Sequence, residues 1–239
     1  MLIFVAEVAT GLYLYWGVVA HFSILVALMV HSSYVSEKKV SDLLTAMTIA
    51  PLIRILSLST PVAEFSQVSW FMIISIPVFV AAFTVAHLQD IPAKDMYLTR
   101  PTRREIPLDI GIFLLAVPIG FLEYAILRPS PMVEFNFQAL VAPALIFIVY
   151  TGFMEEFIFR GLMQQVAERL AGFSGIVFVS ILFGVLHTTN LAFWDVLLAG
   201  SVGFLFAMVV RKTRSIFGIS LAHGMVNINL FLIAPHLFN

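Results

Sequence analysis

The chain has 239 residues, 61% apolar and 11% charged, whereas a soluble domain is roughly half apolar and about a quarter charged. That shortfall, with a mean hydropathy of +1.01, excludes a soluble globular domain and points to an all-α, polytopic membrane protein. A net charge of −1 offers nothing to nucleic acid, so none is expected as a partner, and the absence of cysteine excludes disulfides, thiol nucleophiles, iron–sulfur clusters and Cys-type zinc sites.

A helix needs about 20 apolar residues to cross the hydrocarbon, which allows at most about eight spans here. No basic region followed by a small-residue cleavage site opens the chain, so no removable signal peptide is expected. Eight apolar stretches follow one another: 8–31, 41–58, 68–88, 108–127, 138–168, 173–192, 194–211 and 215–235. The second is short and carries Pro51 and Arg54, which suggests a broken or re-entrant helix. The fifth is long enough for its last turns to project beyond the hydrocarbon. Polar punctuation separates the stretches, notably Ser36 to Lys39, Gln89 to Pro107, Arg128 to Pro131 and Arg211 to Ser215. No internal repeat is visible.

Basic residues test this map. Loops after the odd-numbered stretches hold Lys38, Lys39, Lys94, Arg100, Arg103, Arg104, Arg169, Arg211, Lys212 and Arg214. The opposite face holds Arg128 alone, while Arg54 and Arg160 fall inside stretches. Basic loops stay cytoplasmic, so both termini are expected outside the cytoplasm.

Charge within the hydrocarbon is expensive and marks function by default. The fifth stretch concentrates it in Glu155-Glu156-Phe157-Ile158-Phe159-Arg160. Glu156 and Arg160, four apart, face each other on a helix. Glu155 points about 100° away, which leaves it unpaired in apolar surroundings and suited to accept a proton. His187 closes Phe183-Gly184-Val185-Leu186-His187, and His223 and Asn227 share one helical face. Glu155 is 14 residues in from Arg169 and His187 is 15 in from Gly172, so their similar depths let the two meet across a helical hairpin. His21, His31 and His87 read as interfacial, and Glu123 as a snorkelling carboxylate. Ala199, Gly203 and Ala207 form a small-residue packing face.

A carboxylate, two imidazoles and an amide in a dry site suit hydrolysis. Glu155, helped by His187, deprotonates water; His223 and Asn227 hydrogen-bond the oxyanion; Glu156 and Arg160 orient the helix. No His-Glu-x-x-His or Gly-x-Gly-Asp motif occurs. Gly218-Ile219-Ser220 is similar to the nucleophile turn of rhomboid-like serine proteases, but it leaves Glu155 unexplained, so Ser220 reads as a packing serine. A zinc site built from Glu155, His187 and His223 is the main rival, and it leaves Asn227 without a role. A proton-coupled transporter predicts inverted repeats that this sequence lacks.

Glu155-Glu156-x-x-x-Arg160, Phe183-x-x-x-His187 and His223-x-x-x-Asn227, in this order, resemble the three motifs of the CPBP family. These are the CAAX protease and bacteriocin-processing (Abi) membrane proteins. The resemblance covers about residues 138–232 and is weak before them. It divides the chain into family-variable N-terminal helices, 1–137, and a catalytic helical core, 138–239. It implies a glutamic-type intramembrane endopeptidase needing no cofactor, with Glu155 and His187 activating water and His223 and Asn227 forming the oxyanion hole. Phe183 belongs to the motif beside the first histidine. The expected substrate is a membrane-associated protein or peptide, and the expected location is the membrane of a prokaryotic cell.

Overall fold

A computed structural model describes residues 1–61 and 65–238. Its elements are helices, and among the described residues there is no strand. Among the described residues a short apolar helix, α1 (Leu2–Leu12), precedes eight helices long and apolar enough to cross a membrane. These are α2 (Leu14–Tyr34), α3 (Lys38–Ser59), α4 (Gln67–Leu88), α5 (Ile106–Leu127), α6 (Phe137–Ala171), α7 (Phe173–Asn190), α8 (Phe193–Thr213) and α9 (Phe217–Phe238). The chain is an integral membrane protein. Its outer faces carry exposed Phe22, Met29, Val80, Leu114 and Ile181, side chains that hydrocarbon tolerates and water does not.

The first apolar stretch departs from its expected course. The run expected over 8–31 is cut at Tyr13, whose extended backbone (φ −146°, ψ 93°) ends α1 and starts α2. α1 folds back on α2, so that Thr10 meets Gly17 and Glu7 meets His21. Apolar residues continue across the break, so hydropathy does not reveal it. The second stretch is interrupted as its proline suggests: Lys38–Met47 and Ile49–Ser59 join at Thr48. Pro51 lacks the N–H that would bond the carbonyl of Met47.

The centre is built by close crossings at glycine. A Cβ on Gly152 of α6 would lie 2.5 Å from the Ser220 carbonyl of α9, and one on Gly224 would lie 2.8 Å from the Ile148 backbone. Only hydrogen side chains let these helices approach so far. α7 and α8 cross in the same way at Gly184 and Gly200. α6 is 35 residues long, about 52 Å at 1.5 Å per residue, and so overruns a hydrocarbon core of about 30 Å.

The polar ends assort as the basic residues require. Gln89 donates to the Asp42 carbonyl, Arg169 pairs with Asp95, Arg211 with Glu168, and Thr99 bonds the Arg214 carbonyl. The loops carrying Lys38, Lys94, Arg169 and Arg214 therefore gather at one end of the bundle. Tyr97, buried in this cluster and pushed above its usual phenol range by desolvation and by Glu168, receives a hydrogen bond from Arg214.

Candidate active site

Two stretches of wider, i→i+5 bonded helix, Phe147–Phe153 and Phe157–Gln164, flank Met154–Glu156 in α6. Such turns occur often at functional sites. Between them, the adjacent glutamates diverge. Glu156 is fully buried, and its Oε1 accepts from Arg160 Nη1 at 3.1 Å and from His223 Nδ1 at 2.7 Å. The Arg160 pairing is the expected one; the His223 bond goes beyond what the spacing predicts. Glu155 faces a cavity of about 230 Å³ that His187, Phe183, Thr151 and Arg54 also line. Its nearest basic partner is His223 Nε2, at 3.7 Å.

His187 follows the last turn of Phe173–Val185, where α7 tightens into a 3₁₀ turn over Thr188–Asn190. Its Nδ1 lies 3.0 Å from the Phe183 carbonyl. A carbonyl only accepts, so Nδ1 carries a proton, and in the neutral ring the lone pair is on Nε2. Phe183 has a second use: the Arg160 guanidinium lies 4.4 Å over its ring, a cation–π contact that helps a buried charge with few hydrogen-bond partners. Gly203 of α8 leaves room for this, since a Cβ there would lie 3.0 Å from Arg160 Nη2 and 3.1 Å from the Phe183 ring. The small face of α8 thus packs against the site.

Asn227 donates to Thr151 Oγ1 at 2.8 Å, and Thr151 donates in turn to the Phe147 carbonyl at 2.5 Å. The threonine hydrogen is spent on that carbonyl, so its oxygen must accept and the orientation of the amide is fixed. A second N–H of Asn227 remains. A smaller cavity of about 40 Å³ adjoins the first, lined by His187, His223, Asn227, Phe183, Phe206 and Glu123. It has room for about one or two ordered waters. His187 and Phe183 border both cavities.

All seven residues singled out by sequence therefore meet in one region. Among the described residues, no three carboxylate, imidazole or thiol groups converge closely enough to hold a metal ion. Two sequence readings need correction. Glu123 does not snorkel outward: close packing of α5 on α9, with Gly120 against the Val226 carbonyl, brings it to the smaller cavity. His21 is not interfacial but fully buried, with Nε2 3.5 Å from Glu7 Oε1, whereas His31 and His87 are exposed. Sequence reasoning also misses Thr151 and the pair Glu7–Arg54. A signal for that pair exists, since both are ionisable residues in apolar helices.

Residues 137–229 match the family model of the type II CAAX prenyl endopeptidases, Rce1-like. No curated protein and no solved structure matches the chain.

Proposed function

The segment 137–229 belongs to the type II CAAX prenyl endopeptidase family, and from that premise we propose that the chain is a glutamic-type intramembrane endopeptidase whose machinery is Glu155, His187, His223 and Asn227. The observation that carries this reading is the divergence of the two glutamates. Glu156 is consumed by Arg160 and His223, while Glu155 is left facing a cavity beside His187.

Water held between the Glu155 carboxylate and the free Nε2 of His187 loses a proton to Glu155 as its oxygen attacks the scissile carbonyl. The oxyanion is met by the second N–H of Asn227 and by Nε2–H of His223. A doubly protonated His223 gives Nδ1–H to Glu156 and keeps Nε2–H for this task. Its charge, with those of Arg160, Glu155 and Glu156, sums to zero, the arrangement that a poorly solvated site favours. Collapse of the intermediate breaks the C–N bond, and Glu155 returns its proton to the leaving amine. Fixed donors in a site that excludes water stabilise the transition state more than the same donors in solution. Glu123 keeps the smaller cavity polar, so that a water resides against His187 and His223.

The substrate is a membrane-associated protein or peptide that enters beside Glu155. Because basic loops stay cytoplasmic, the end of the bundle that carries them is read as the cytoplasmic one and the C-terminus as extracytoplasmic. By contrast α1, folded back on α2, brings Met1 beside Leu28 and Met47, toward the basic end. The test is cleavage of membrane peptides, prenylated and unprenylated, by protein purified into nanodiscs. Turnover by the parent and its loss in Glu155→Gln support the assignment; equal turnover in both removes it.

A further inference from the structure

We propose that Glu7 and Arg54, both outside the 137–229 segment, are positioning residues for His187, so that the N-terminal helices complete the active site. This rests on the peptidase reading above. Glu7, in α1, is fully buried. Arg54, in α3, donates from Nε to its Oε1 at 3.0 Å and holds Nη2 2.9 Å from its Oε2. The same Nη2 donates to the Leu186 carbonyl at 2.6 Å. Leu186 caps the helical segment Phe173–Val185 and immediately precedes His187.

Each link has a physical reason. The last carbonyls of a helix lack intrahelical donors, and a guanidinium near a helix C-terminus satisfies both the carbonyl and the dipole. An arginine side chain in a wide cavity has many rotamers. A buried carboxylate reduces them to one by gripping Nε and leaving Nη2 aimed at a single oxygen. If the pair served only to hold α1 against α3, apolar side chains would do so without desolvating two charges. What apolar residues cannot do is fix the peptide that carries His187. Arg54 lines the cavity of Glu155 and His187, and α1 packs directly on the Thr188–Asn190 turn, so the device bears on both sides of the imidazole. Released from Arg54, the turn is free to rotate and the imidazole loses its register with Glu155.

Removing either charge strands the other in the interior, so a truncation tests folding rather than positioning. Two variants avoid this. Arg54→Lys keeps a cation for Glu7, but an ammonium lacks the planar fork that serves Glu7 and Leu186 together. The exchange Glu7→Arg with Arg54→Glu keeps the buried pair and leaves the Leu186 carbonyl without its donor. The full-length protein in nanodiscs is followed by ¹⁵N NMR of its histidine side chains, His187 being assigned by its loss in His187→Gln, and by turnover of a cleavable peptide. Both variants are expected to keep a cooperative thermal transition, to shift or broaden the His187 signal, and to lower kcat about 10- to 100-fold, as ångström-scale misplacement does, with KM changed less than about twofold. A His187 signal and kcat equal to the parent's in both variants would overturn the proposal. So would failure of both to fold, which would make the pair structural. If the parent cleaves no peptide, the peptidase reading fails, and the His187 signal still decides whether Arg54 sets the imidazole.

Discussion

Glu155→Gln and Glu156→Gln change adjacent residues by the same single atom, yet their costs should differ by several kcal/mol. Glu156 is fully buried and holds two partners, the Arg160 guanidinium at 3.1 Å and the His223 imidazole at 2.7 Å. Arg160, only 1% exposed, has no other carboxylate within ion-pair distance among the described residues. Breaking a buried pair from one side costs about 3–5 kcal/mol. In Glu156→Gln the new amide carbonyl still accepts one bond, so the lower figure, about 3 kcal/mol, applies. At about 2–4 °C per kcal/mol for a chain of this size, the melting midpoint should fall by about 6–12 °C. Glu155 keeps 28% of its side chain exposed, and its only ion-pair contact among the described residues, with His223, is 3.7 Å long, so its substitution should cost no more than about 0.5 kcal/mol. Tryptophan fluorescence during thermal unfolding in nanodiscs, read beside peptide turnover, separates the two. Glu155→Gln should be inactive and as stable as the parent; Glu156→Gln should be both impaired and destabilised. Equal midpoints for the two variants, or a larger loss in Glu155→Gln, would refute this account of the pair.

Topology is checked with cysteines introduced at Thr99 and Pro131 in the cysteine-free chain: an impermeant thiol reagent added to intact cells should label position 131 and spare 99, and the reverse pattern inverts the map. Gly152→Val should separate α6 from α9, because its Cβ would lie 2.5 Å from the Ser220 carbonyl; overpacking of this kind costs about 1–3 kcal/mol, and a variant as stable and active as the parent would show that the crossing is not needed. Activity should survive treatment with a strong chelator, with no stoichiometric metal by elemental analysis; activity that is lost and returns specifically with Zn²⁺ would reassign Glu155, His187 and His223 as ligands. Glu123→Leu, which dries the smaller cavity without disturbing an ion pair among the described residues, should fold and turn over more slowly, and unchanged kcat would remove Glu123 from the site.

The membrane class, the order of eight spans and the pairing of Glu156 with Arg160 are legible in the chain alone, because each rests on local quantities. Hydropathy over about 20 residues reports the cost of desolvating a backbone segment, and residues four apart on a helix meet whatever surrounds them. The grouping of Glu155, His187, His223 and Asn227 is legible for a related reason: polar groups at matching depth in hydrocarbon have few stable places except against one another. The break at Tyr13 is not legible, since no glycine or proline marks it at that position and apolar residues continue through it. The parts taken by Glu7, Arg54, His21 and Glu123 emerge only from how the helices pack. Arg54 reaches Glu7 across 47 residues and Leu186 across 132, and no periodicity along one helix encodes which helix lies beside it. Likewise, the approach of α5 to α9 at Gly120 turns Glu123 toward His187 and His223, because in a bundle it is the neighbouring helices that decide whether a polar side chain faces lipid, headgroups or a cavity.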